Sequence, residues 1–496
     1  MHTLLKSYHT VCQSRWLWVI TLVAVLLFSA SMNWMSLKSY DDCFYAQKGV
    51  EMWQRGAIST VTWAGRTDFQ YPPLQFWLLG RSFALFGKND FAARLPSLLM
   101  AVAILLMTYR MGSVTVGRRA AMVATAALML TPLFVTNARR CQTDIPLTFW
   151  MTLAMLIYIE GMAKPKLHAL IAIPLGAAVL TKSVLGLFPL IVVPAAVLVP
   201  ALRKTLRNGW LWLGLGLGLA LGASWSIHQY MNFGDAFMSF HYGTMVFSRT
   251  SQPFDLTGVL TDYPLLLMEH YQPIVLPALV GLVFFVIDKL RRKPAEVRPL
   301  YRSLIAPRGR SSEADLIIVW AVLPVILYSF SGLRHMRYLF PLLPAFAILA
   351  GYLVASRAKK LVVPLCCYVV PILSIVSALI YWFSPGLLAG DNNQVFKQRI
   401  DVARAHLEPG TTLPYIGEEY WPEANPFLYY WDVKLEKPGD TAGEAVAKAL
   451  ASPHRSLVCV RGRLNEVAGT GAEYTTMVEG KGWAWLRFPL QETRTQ

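Results

Sequence analysis

Apolar runs of about 20 residues recur along this chain from Trp16 to Phe383, and no other feature limits its fold so tightly. A helix rises about 1.5 Å per residue, so each run can cross about 30 Å of hydrocarbon. Backbone groups inside a bilayer must be satisfied internally, and runs of this length do so as helices. The composition agrees: 55% of the 496 residues are hydrophobic and 15% charged, against about 25% charged in soluble chains. The expectation is an all-α polytopic membrane protein.

The runs place spans at 16–36, 94–113, 120–137, 145–162, 167–181, 184–202, 210–228, 271–290, 315–332, 338–356 and 361–383, which is eleven crossings. With the N-terminus cytoplasmic, every basic cluster between runs falls on one side. These are Arg118-Arg119, Lys164 with Lys166, Arg203-Lys204 with Arg207, Lys289 through Arg310, and Arg357 with Lys359-Lys360. Such clusters mark cytoplasmic loops, so the net charge of +17 reports topology and not nucleic-acid binding. Lys6, Arg15 and "SAS" (Ser29 to Ser31) resemble a signal peptide with a cleavage site. The apolar run continues through Met32, Trp34 and Met35, however, which fits an uncleaved first helix in the inner membrane.

Three segments on the periplasmic side are too long for turns. Residues 37–93 are amphipathic and aromatic-rich, as interfacial helices are; residues 229–270 form a second loop. The tail from 384 to 496 changes character, with turn sequences, an alternating "RSLVCVRG" strand pattern and a capped helix in "DTAGEAVAKALAS". It reads as a small α/β periplasmic domain beside a membrane domain of residues 1–383. Six cysteines form neither a disulfide framework nor a CxxC metal site. Cys43 and Cys141 fall near one membrane face, where a disulfide is open to them and unpaired thiols are favoured.

The charges left over on the periplasmic edge point to chemistry. Asp41, Asp42, Glu51, Asp68, Asp144 and Glu269 face Arg55, Arg66, Arg94, Arg139, Arg140, Lys182, Arg249, His270, Arg334, His335 and Arg337. Carboxylates at the edge of hydrocarbon are costly unless used. Cations from separate loops fit an anion such as phosphate. Lys182 in "VLTKSVLG" either binds it or snorkels to headgroups. A sugar phosphate whose leaving group is already an anion needs positive charge and no acid. An acceptor hydroxyl needs one base, which an Asp supplies, so a single carboxylate with a cationic clamp suffices for inverting transfer. The bland alternative pairs Asp41 and Asp42 with Arg55 or Arg66.

"DDCFYAQKGVEMW" and "YPPLQFWLLGRSFALFGKNDFAARLPSLL" resemble the protein O-mannosyltransferase and lipid A 4-amino-4-deoxy-L-arabinose transferase family, glycosyltransferases of the C superfamily that use polyprenyl-phosphate sugars. "RRCQTDIPLTFW", "LTKSVLGLFPL" and "RHMRYLFPLLPAFAILAGYL" resemble later blocks in the family's order. The resemblance covers most of residues 35–356. It implies that Asp41 is the catalytic carboxylate of the first external loop and Asp144 a second acidic position beside it. It also implies that Lys182, Arg249, Arg334 and Arg337 lie near the donor phosphate or the cavity; Asp42, Tyr45, Arg55, Tyr71 and Tyr338 are further expected donor-site residues. Two departures stand out. Tyr71 precedes Pro72-Pro73-Leu74 where the aminoarabinose transferases carry a phosphate-binding Lys, and Asp42 stands where Glu is usual.

The expected function is therefore transfer of one sugar from a polyprenyl phosphate to a periplasmic acceptor: lipid A, an envelope glycan or a protein. No cofactor is required in this reading. A divalent ion bridging Asp41, Asp144 and phosphate is the less favoured variant. A flippase for a lipid-linked sugar is the rival from another class, though it would place charge at mid-membrane with symmetric broken helices. A lipid-linked polysaccharide polymerase or ligase shares the donor chemistry.

Overall fold

The computed structural model describes residues 2–30, 32, 34–38, 41–248, 256–291, 311–329, 335–358, 362–383, 393–417 and 420–489. Helix α1 (His2–Ser29) is followed by α2 (Asp42–Arg55), a two-stranded hairpin of β1 (Thr62–Trp63) and β2 (Arg66–Thr67), and α3 (Leu74–Phe86). Then come α4 (Asp90–Thr115), α5 (Arg118–Leu130), α6 (Pro132–Ala138), α7 (Asp144–Gly161), α8 (Ala172–Lys182), α9 (Val192–Leu198) and α10 (Gly209–Phe237). Four more apolar helices complete this part: α11 (Leu256–His270), α12 (Val275–Arg291), α13 (Ser311–Ser329) and, after a 3-10 turn, α14 (Leu343–Arg357). A last one, α15 (Val362–Phe383), precedes the tail.

Among the described residues, four helical stretches (90–115, 165–198, 209–247 and 336–357) are long and apolar enough to cross a membrane. Two bent pairs, α5 with α6 at 67° and α11 with α12 at 117°, raise that to six. The 165–198 stretch is not one rod. Ser183 has φ +50°, and a Cβ on Gly186 would meet the Ala178 backbone at 2.2 Å, so the chain folds back at Lys182–Ser183. The second expected loop is also largely helical: α10 runs to Phe237 with a break at Gly234 (φ +51°), and π-helical turns continue to Phe247. Small residues let these helices close up. Gly351 of α14 sits where a Cβ would be 2.3 Å from the Ala120 carbonyl of α5.

The segment following Asp41 is pinned from several sides. On α2, Glu51 accepts from Thr62 Oγ1 (2.7 Å), Ala64 N (2.7 Å) and Gly65 N (3.1 Å). One turn earlier, fully buried Lys48 donates to Asp68 at 2.8 Å and lies 3.6 Å from the Phe44 ring centroid. Burial outweighs Asp68 and lowers the Lys48 ammonium below its usual range. From α10 and beyond, Trp225 and Gln229 donate to the Ser59 carbonyl, and His241 to that of Phe69.

The C-terminal segment forms a five-stranded sheet in the order β4-β3-β5-β7-β6. Strands β3 (Thr412–Ile416), β4 (Lys434–Glu436) and β5 (Ser456–Val460) are parallel; β6 (Thr475–Glu479) and β7 (Trp483–Arg487) are antiparallel additions. Helix α16 (Ala442–Ala451) starts at a Thr441–Glu444 capping box. Successive strand residues point to opposite faces, and here the faces have different partners. Ile416, Leu457, Cys459, Ala484 and Leu486 pack with α16. Tyr415, Val458, Trp483 and Trp485 instead join a core containing Phe44, Val50, Phe76 and Leu79 of α2 and α3. One face of the tail's sheet therefore shares its core with α2 and α3.

Candidate active site

Between α1 and Asp41, the Lys38 carbonyl accepts from Cys43 N of α2 at 3.1 Å, and several other carbonyls are held by side chains. Arg94 on α4 supplies three of them, at Met32, Met35 (2.8 Å) and Ser36 (2.8 Å), while Arg139 takes Ala30. Buried carbonyls need such partners. Two of the unexplained edge cations thus serve the chain's own backbone and are not free for an anion.

Asp41 is the N-cap of α2 but makes no capping bond. Its Oδ2 accepts from Gln142 Nε2 at 2.8 Å and Arg337 at 2.7 Å, with Arg140 at 3.8 Å. Among the described residues, no hydrogen bond reaches Oδ1. Asp42, 1% exposed, pairs with Arg140 Nε at 3.2 Å. Asp144 opens α7 and Lys182 closes α8, and the two meet at 2.7 Å. An acid at a helix start and a cation at a helix end each suit the local dipole. Arg337 lies within electrostatic reach of both Asp41 and Asp144, which makes the pairs one cluster.

Tyr45 closes the floor of this cluster. Its ring is 5.4 Å from Tyr71 and 6.1 Å from Phe76, and burial, followed by Tyr71, pushes its phenol well above the usual range. Tyr71 lies within electrostatic reach of Lys182. Lys38 stands over Asp42, its amide 3.5 Å from Oδ2; partial burial and the charges of Arg140 and Arg337 lower its ammonium. Among the described residues, the carboxylates of Asp41, Asp42 and Asp144 thus meet the cations Arg140, Arg337, Lys182 and Lys38.

Of the residues singled out in the sequence, Asp41, Asp42, Asp144, Lys182, Arg337, Tyr45 and Tyr71 come together. Tyr338 follows Arg337 but packs at a tilt against Tyr328, ring centroids 5.9 Å apart. Arg55 is exposed at the far end of α2, about 20 Å along the helix from Asp42. Neither it nor exposed Arg66 pairs with the acids, so that alternative is replaced by Arg140 and Arg337. Arg249 and Arg334 lie outside the described residues. The sequence reading missed Arg140 and Gln142 as ligands of the carboxylates, although both stand inside "RRCQTDIPLTFW", and it missed Lys38. Cys43 and Cys141 are both buried free thiols. No group of three or more His, Cys, Asp or Glu able to hold a metal occurs among the described residues.

A family profile described as dolichyl-phosphate-mannose-protein mannosyltransferase matches residues 70–228. An uncharacterized protein of Aquifex aeolicus is 22% identical over 347 residues, 69% of this chain and 64% of that protein. The undecaprenyl phosphate-alpha-4-amino-4-deoxy-L-arabinose arabinosyl transferase of Pectobacterium carotovorum is 25% identical over 350 residues, 68% of this chain and 59% of that protein. The aligned region thus spans about three fifths of these curated relatives. Among solved structures, ArnT from Cupriavidus metallidurans bound to undecaprenyl phosphate superposes with TM-score 0.70 at 17% identity, covering 96% of this chain and all of that one. The Archaeoglobus fulgidus oligosaccharyltransferase shares the fold more distantly, with TM-score 0.52 at 13% identity.

Proposed function

We propose that this chain, a member of the glycosyltransferase C superfamily of polyprenyl-phosphate-sugar mannosyl- and arabinosyltransferases, moves one sugar from a polyprenyl phosphate to a periplasmic acceptor. The observation that carries the reading is Asp41. Donors hold one of its oxygens, and the other is open beside a cluster rich in cations. In the reaction the acceptor hydroxyl attacks the sugar C1 as the C1–O bond to phosphate breaks on the opposite face. The bonding pair leaves with the phosphate, whose charge is met by Lys182, Arg337 and Lys38. The hydroxyl proton passes to Asp41 Oδ1. The products are the glycosylated acceptor, inverted at C1, and polyprenyl phosphate. Where the acceptor is itself a phosphate, as on lipid A, no proton has to move and Asp41 only orients it.

In this reading Asp144 holds Lys182 in place, and Tyr45 and Tyr71 border the donor, Tyr71 giving a hydrogen bond where a related enzyme has charge. No cofactor is called for, because Arg and Lys already supply the positive charge. This reading counts eleven crossings by taking α1, α4, α5 with α6, α7, α8, residues 183–198, α10, α11 with α12, α13, α14 and α15 as one each. They put the N-terminus in the cytoplasm, residues 1–383 in the membrane unit and residues 384–496 in the periplasm of the inner membrane.

The test is transfer of labelled sugar in proteoliposomes, offering undecaprenyl-phosphate sugars and envelope acceptors to the wild type and to Asp41→Asn. We expect a loss of about a hundredfold or more with the fold retained. Full activity in Asp41→Asn would remove the base and leave a phosphate acceptor. Movement of lipid-linked sugar across the bilayer without any transfer would replace the transferase by a flippase.

A further inference from the structure

The backbone of Leu37, four residues before Asp41, is bonded on both sides by the C-terminal segment. Its N–H donates to Tyr430 Oη at 2.7 Å, and its carbonyl accepts from Asn393 Nδ2 at 2.7 Å. The same carbonyl is 3.6 Å from Cys43 Sγ, in the first turn of α2. Leu37 is wholly buried and Asn393 nearly so. Tyr430 is itself fixed, its hydroxyl 3.1 Å from both oxygens of buried Asp90, which also receives Lys397 at 3.1 Å. Asp90 opens α4, the helix whose Arg94 holds the carbonyls of Met32, Met35 and Ser36. Leu37 is therefore where two restraints meet, one from α4 and one from the tail.

We propose that the C-terminal segment is a positioning element for the reaction centre. Tyr430 and Asn393 fix Leu37, and through it set where Asp41 and Asp42 stand against Arg140, Arg337 and Gln142. The inference rests on the transferase reading above. Its physical ground is that a reacting group must be held to within about 0.5 Å, and that a distant change shifting it by about 1 Å costs up to about a hundredfold in rate. An unpaired buried amide would not tolerate the present path of Leu37, so loss of Tyr430 Oη obliges the backbone to move or to admit water. Both residues bond to Leu37, and Tyr430 bonds to Asp90 of α4 as well, so both act on Asp41 and Asp42 through the backbone before them.

The experiment compares full-length wild type, Tyr430→Phe, Asn393→Ala and, as a control, Asp432→Asn. The control removes the negative charge from the 2.7 Å Lys88–Asp432 contact between tail and first segment without touching Leu37. Amide hydrogen exchange is read over residues 37–45 and over the strands of the tail, and transfer kinetics are measured in proteoliposomes. Expected in both test variants is faster exchange over 37–45 with the strands unchanged, and a kcat lower by about tenfold with the donor KM within twofold. Asp432→Asn changes neither. Exchange over 37–45 that stays at the wild-type rate in both variants would overturn the proposal. So would equal loosening in Asp432→Asn, which would mean general destabilisation. Absence of transfer by the wild type would instead overturn the transferase reading, recognisable because the exchange result stands apart from it.

Discussion

Asp144 is 2% exposed and Lys182 10%, a pair that has left water almost completely. Desolvation makes such pairs poor sources of stability, but losing one partner strands the other. Lys182→Met should therefore cost about 3–5 kcal/mol in thermal or denaturant unfolding. Lys182→Met with Asp144→Leu should regain most of that stability while transfer stays absent. A single variant as stable as the wild type would identify Arg337 as the partner that matters to Asp144. The thiols give a second residue-level prediction. Burial pushes both Cys43 and Cys141 well above the usual thiol range. Their thiolate fraction at pH 8 is then far below that of a free cysteine, and access is closed as well. Maleimide at pH 8 should leave both unlabelled in the folded protein and modify both after unfolding, as peptide mass mapping would show. An intact Cys43–Cys141 disulfide would block labelling in both states.

Apolar runs of span length were readable from the sequence because they have few alternatives, and the turn between the 167–181 and 184–202 runs was readable with them. What Lys182 meets was not: the fold-back that packs Gly186 on Ala178 turns it toward Asp144. Likewise Arg139 and Arg140 are adjacent and chemically identical. The turn after α6 sends one to the Ala30 carbonyl and the other to Asp42, a choice no spacing rule encodes. Close packing makes its own prediction at this scale. A Cβ at Gly351 would meet the Ala120 carbonyl at 2.3 Å, whereas nothing lies within 4 Å of one at Gly216. Gly351→Ala should separate α14 from α5 and lower unfolding stability by about 1–3 kcal/mol. Gly216→Ala should be neutral or gain up to about 1 kcal/mol from helix propensity. Equal melting of the two variants in detergent would mean that the α5–α14 approach is looser than it stands.

In the whole molecule the tail is an integral wall and not an appendage, which composition alone did not reveal. Its polar, turn-rich sequence reads as a separate unit because Trp483, Trp485, Phe396 and Phe427 look like an ordinary small core. They in fact enclose one cluster with Phe44, Phe76 and Leu79, from the other end of the chain. Contacts such as Trp63 Nε1 to Asn425 Oδ1, 2.9 Å apart across 362 residues, leave no local trace. Removing residues 384–496 would bare that apolar face on α2 and α3 and withdraw both partners of Leu37. A chain ending at Phe383 should therefore still insert, because its spans are unchanged. The α2–α3 segment, however, should exchange amide protons freely and be cut by trypsin within residues 42–86, where Lys48, Arg55, Arg66 and Arg81 lie. A truncated chain that resists trypsin there and keeps the wild-type melting temperature would show that α2 and α3 hold their fold from the membrane side alone. The α4 arginine would then hold the backbone before Asp41 without help from the tail.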